Sequence, residues 1–106
     1  MDWGIYRERQ PDEALVHNME HGGIVIYYRD TATPDVITNI ETFVQNQPSG
    51  VRGFVVTPGA ATLPATIAMA AWEYYVLLAQ YDETVMNAFV AAHYDKGPET
   101  LDGGVR

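Results

Sequence analysis

His17 and His21 stand four residues apart with Glu20 between them, in the run Val16-His17-Asn18-Met19-Glu20-His21-Gly22-Gly23. Imidazoles at i and i+4 lie on one face of a helical turn, where both can reach a single cation. The chain holds three histidines in all, and packing alone does not explain two of them in one pentapeptide at the mouth of an apolar strand. As spaced, the group matches His-x-x-Glu-His, the inverted zinc-peptidase pattern, in which two His hold Zn and the Glu acts as base. That chemistry needs a long helix, a third ligand and a substrate cleft, and Gly22-Gly23 stops a helix at once. Two readings stand level. In one, His17 and His21 are ligands of a transition metal, with Glu20 as a further ligand or a hydrogen-bonding support. In the other, the three side chains hydrogen-bond backbone groups where an N-terminal arm meets the sheet.

Imidazole suits Zn, Cu, Ni or Fe, and the soft Met19 tilts the choice toward Cu(I) if it points inward. A third group from Glu20, Glu73, Glu99 or His93, or an open gap, is expected beside the pair. The two ring nitrogens should then converge to about 3–4 Å, as two bonds of about 2.1 Å to one ion require. The remaining candidates are plainer. His93 falls at a helix C-terminus, where the helix dipole favours it without further role. Met69 and Met86 read as core. Trp3, Tyr6, Tyr27, Tyr28, Trp72, Tyr74 and Tyr75 are explained as half-buried sheet aromatics. Ser49, the only serine, lies in a Pro-Ser-Gly turn with no triad context. The double glycines Gly22-Gly23 and Gly103-Gly104 do not form a phosphate loop.

These residues must be carried by a small frame. Residues 1–10 read as an irregular arm anchored by Trp3, Ile5 and Tyr6. Pro11 to His21 suits a short helix, with Asp12 and Glu13 at its positive end and Gly22 at its stop; an extended loop is nearly its equal. Gly23 to Tyr28 is β-branched and aromatic, hence a strand. At least one of Gly22 and Gly23 is expected to take positive φ or to allow close backbone approach. Thr33-Pro34-Asp35 opens a helix whose stripe is Val36, Ile37, Ile40, Phe43 and Val44, closed by Pro48-Ser49-Gly50. Val51 to Thr57 is a strand bounded by Pro58-Gly59. Ala65–Trp72 and Tyr75–Ala79 mix helix and strand formers and are read as strands. Thr84 to His93 is a helix ended by Lys96-Gly97-Pro98. The order β-α-β-β-α gives an α+β fold, a small mainly antiparallel sheet with helices packed on it.

The chain of 106 residues is read as one globular domain, 1–106. Fourteen acidic against six basic residues leave a net charge of -8, with no basic cluster. Binding to nucleic acid or to an anionic lipid surface is therefore not expected. Zero cysteines remove disulfides, thiol catalysis, thiolate zinc sites and iron–sulfur clusters together. No signal peptide is visible. Pro64 to Gln80 is too short and too polar for a membrane span. No internal repeat or linker divides the chain.

Trp3-Gly4-Ile5-Tyr6 and Leu15 to Tyr28 together resemble the signature of the bacterial and archaeal family called domain of unknown function 3105. Ala70-Ala71-Trp72 and Gly97-Pro98-Glu99 resemble its later motifs, so the similarity runs over nearly the whole chain. The His-x-x-Glu-His-Gly block is its specific part. The resemblance implies a domain outside the cytoplasm, periplasmic or at the cell surface, in a protein with a membrane anchor or export segment. It also implies an upstream Pro-Thr-Ser-Gly-x-His stretch, whose His is the natural third ligand. This sequence starts at Met1-Asp2-Trp3 and contains neither, as a short variant or a trimmed chain would. Relatives commonly carry Leu where Met19 stands, which implies that Met19 packs.

The expectation is an extracytoplasmic domain of unassigned activity that binds a transition metal, Cu or Zn, through His17 and His21 with Glu20. A metal-assisted hydrolase at the same residues is the enzymatic alternative. A non-catalytic sensor or interaction domain with structural histidines is the third, and a homodimer is compatible with each.

Overall fold

A computed structural model describes residues 1–101 of the chain; Gly103-Gly104 lies outside them. The elements are β1 (Gly4–Ile5), α1 (Asp12–Glu20), β2 (Ile24–Tyr28), α2 (Pro34–Gln45), β3 (Phe54–Pro58), β4 (Ile67–Ala71), β5 (Tyr74–Leu78) and α3 (Glu83–His93). Their strands form one sheet in the order β1-β3-β2-β4-β5.

β2 is the pivot. It runs parallel to β3, with Val25 opposite Val55, and antiparallel to β4, with Val25 opposite Ala70. The expectation of a mainly antiparallel sheet is corrected accordingly: the sheet is mixed. The cause is the β2-α2-β3 crossover, since a helix between two adjacent strands returns the chain in the same direction. The arm adds a second parallel pair, β1 on β3, fixed by Tyr6 N–H donating to Val56 O at 2.8 Å. The order β-α-β-β-α lacked three elements: β1, α1 and one of the three strands between α2 and α3.

Alternation along the strands sends side chains to two faces. Ile24, Ile26 and Tyr28 of β2 and Phe54 and Val56 of β3 pack with Ile40, Phe43 and Val44 of α2 and Met86 and Phe89 of α3. Val25 and Val55 face the other way, onto Leu15 of α1, with Trp3, Tyr6, Met19 and Tyr27 around them. The sheet is thus sandwiched, α2 and α3 on one side and α1 on the other. Val25, Ile26, Ile40, Val55 and Met69 are wholly inaccessible, and each such aliphatic side chain is worth about 1.5–3 kcal/mol of burial.

The helices start as their residues dictate. The Thr33 hydroxyl accepts from Val36 N–H, Pro34 takes the first turn, and the Asp82 carboxylate accepts from Val85 N–H at 3.1 Å. β3 begins at Phe54, not Val51, because Gly53 sits at φ +88° and the preceding residues turn. Pro64–Gln80 becomes the β4–β5 hairpin, closed over Trp72-Glu73 with Glu73 at φ +69°. Among the described residues no helix is long and apolar enough to cross a membrane.

Candidate metal centre

α1 ends where its sequence says it must. Gly23 N–H donates to Asn18 O at 3.0 Å and Gly22 N–H to Met19 O at 2.9 Å, with Gly22 at φ +86°. This is a Schellman closure, in which a left-handed residue after the helix satisfies the last free carbonyls. His17 therefore lies in the last helical turn and His21 at the cap, one turn apart on the same side.

The turn is clamped from two directions. A Cβ on Gly23 would enter the Trp3 ring, and one on Gly22 would lie 2.7 Å from the Asp95 Cα. A Cβ on Gly97 would collide with the carbonyl of Glu20. The segment after α3 is thus pressed against the end of α1. Asp95 N–H donates to Gly22 O at 2.8 Å and Glu99 N–H to Glu20 O at 3.0 Å. Asp95 is left-handed at φ 56°, a conformation Asp tolerates. Upstream, Tyr94 stacks on Phe54 and its hydroxyl donates to Arg52 O at 2.7 Å; burial raises its pKa above the ordinary phenol value. Residues 17–23 and 95–100, remote in sequence, meet here, with Trp3 closing on Gly23.

At that point the two imidazoles converge, their Nε2 atoms 3.0 Å apart and ring centroids 4.8 Å apart. His21 Nδ1 lies 3.0 Å from Thr100 O, and Glu99 Oε2 lies 3.4 Å from His21 Nε2. A carbonyl oxygen can only accept, so the contact with Thr100 requires the proton on His21 Nδ1, and it turns Nε2 toward His17 and Glu99. The spacing expected of co-ligands is met. At 3.0 Å, two bonds of about 2.1 Å subtend about 90° at one ion, and a tetrahedral angle needs about 3.4 Å.

The other expectations divide. Glu99 stands beside the pair. Glu20 contributes its backbone carbonyl; among the described residues its carboxylate makes no hydrogen bond or ion pair with either ring. Glu73 occupies the β4–β5 turn. His93 is stacked on Tyr74 and meets the tilted ring of Phe89, each ring centroid 4.5 Å away. Met19 packs with the α1-side core, as the resemblance implied. Among the described residues no group of three or more His, Cys, Asp and Glu has the geometry to hold a metal, so His17 and His21 make a two-nitrogen pair with Glu99 at its edge. Thr100 escaped the sequence reading, because every residue has a carbonyl. The Gly97-Pro98-Glu99 motif was the only signal that this strap belonged to the site.

Neither a curated protein nor a solved structure matches the chain. The model of one family does, over residues 1–103, and the chain belongs to that family, described as "Protein of unknown function (DUF3105)".

Proposed function

We propose that this domain binds a transition-metal ion, Zn or Cu, through Nε2 of His17 and His21, with the Glu99 carboxylate as third partner. The observation that carries the reading is the Thr100 carbonyl on His21 Nδ1 at 3.0 Å. A ligating histidine commonly donates its other ring N–H to a carbonyl or carboxylate, which fixes both tautomer and ring plane. The arrangement leaves His21 Nε2 facing a second imidazole, with a carboxylate at the edge. A cation held by the two ring nitrogens would bring in Glu99 by a small movement of its carboxylate, now 3.4 Å from His21 Nε2. Glu20 takes a supporting part: its carbonyl holds the strap that carries Glu99.

A second reading rests on the same 3.0 Å separation, which is also the length of an N–H···N hydrogen bond. In it the cation is a proton shared by two structural histidines. His17 is exposed, which leaves any bound ion open to solvent and to a further ligand. The motif resemblance supports reading this as a domain that works outside the cytoplasm.

Calorimetric titration of the metal-free chain with Zn(II), and with Cu(I) under reducing conditions, tests the proposal. One ion per chain is expected, lost in the variant His17→Ala/His21→Ala. No heat with either ion leaves the shared-proton reading.

A further inference from the structure

On the face where α1 packs, Val25 and Val55 lie under Leu15, while Ala68 and Ala70 of β4 and Tyr75 and Leu77 of β5 continue that face past the helix, with Asp12 at its rim. Tyr75 is 73% exposed, Tyr74 58% and Leu77 44%. β5 is also an edge strand, paired on one side only among the described residues. Proteins normally guard such an edge with charge, proline or a bulge. Here Glu73 is the only charged residue between Arg52 and Asp82, in a chain of net charge -8. Beside the strand, Arg9 and Asp12 pair with each other at 3.6 Å and Arg29 lies near Leu77 and Ala79, so this face carries no net negative charge and two acidic copies meet least repulsion along it.

We infer that β5 pairs with β5 of a second copy of this chain, antiparallel about a two-fold axis at Val76. An isologous contact requires the strand to be complementary to itself. Centred on Val76, the register sets Tyr75 against Leu77, Tyr74 against Leu78, and Glu73 against the uncharged Ala79. No two charges oppose each other, and aromatic–aliphatic cross-strand pairs are favourable. The product is a continuous ten-stranded sheet built from two five-stranded ones. Its two open half-faces merge, and the shallow depression of about 460 Å³ beside Tyr75 and Leu77, rimmed by Arg9 and Asp12, becomes part of the joint surface.

Sedimentation velocity over a wide dilution series tests this. The unmodified chain should pass from 11.8 kDa toward twice that mass as concentration rises. Tyr75→Lys with Leu77→Lys sets like charges directly opposite and should leave only monomer, with an unchanged far-ultraviolet circular dichroism spectrum. Tyr75→Lys with Leu77→Glu sets opposite charges across the axis and should restore the dimer. Should the Lys/Lys variant fold poorly, Val76→Cys in this cysteine-free chain reads the same contact, by forming a disulfide-linked dimer on mild oxidation. A monomer at every concentration, including one that instead partitions onto phosphatidylcholine vesicles, overturns the inference. So does a dimer that survives the Lys/Lys pair.

Discussion

His21 and Thr100, 79 positions apart in sequence, are joined by a ring nitrogen and a backbone carbonyl 3.0 Å from each other. That contact ties the end of α1 to the strap after α3 and decides which nitrogen of His21 is free. The pair also explains the glycines around it. The strap reaches Thr100 only if Gly97 passes against the Glu20 carbonyl, and the α1 cap turns only if Gly22 is left-handed.

Gly22→Ala should therefore lower stability by about 2 kcal/mol or more. Positive φ and a Cβ driven toward the Asp95 backbone act together. Thermal or urea unfolding checks it, and a midpoint equal to the parent's would show that the turn is not constrained.

Glu99→Gln should keep the fold, because its backbone N–H still bonds Glu20 O, and should weaken metal binding by about tenfold or more. Glu20→Gln should leave affinity within a factor of about two, since Glu20 acts through its carbonyl. Titration of both variants separates the two glutamates; a larger loss for Glu20→Gln would return that carboxylate to the ligand set.

Tyr27, Tyr28, Tyr81 and Tyr94 all have phenol pKa values raised above 10.0, with burial the largest cause. A raised value means that the fold favours the neutral phenol. The stability this supplies is complete below about pH 10, the unfolded value, and is lost as pH rises through the higher folded values. Urea midpoints should fall on the alkaline side of about pH 10 while phenolate absorbance appears late. Tyrosines titrating together near the free-phenol value in the native protein would contradict this.

The parts of the fold that local chemistry dictates were legible before the structure. The Thr33-Pro34 cap and its apolar stripe gave α2, the β-branched run gave β2, and Gly22 gave the end of α1. The direction of β3 was not, because parallel pairing is decided by a crossover and not by any residue within the strand. One hint was present. Ile24, Val25 and Ile26 are all fully buried, and an uninterrupted apolar run is the mark of a strand covered on both faces. β1 carried no signal, since two residues become a strand only through Trp3 on Gly23 and the Val56 carbonyl. At the site, the i, i+4 spacing foretold the meeting of the two rings. Glu99 on the strap was among the expected partners, but the Thr100 carbonyl that orients His21 was invisible, because no residue type signals a backbone atom.

Metal-dependent thermal stabilisation tests the central claim most directly. A ligand that binds only the folded state adds RT ln(1 + [L]/Kd), about 2.7 kcal/mol at a hundredfold excess over Kd. Zn(II) or Cu should raise the melting temperature of the chain at neutral pH, and His17→Ala/His21→Ala should abolish the rise. Imidazole ligands bind in their neutral form, so the response should fade below about pH 6. A parent protein whose melting temperature ignores both metals, or a double variant that responds as the parent does, would contradict the account.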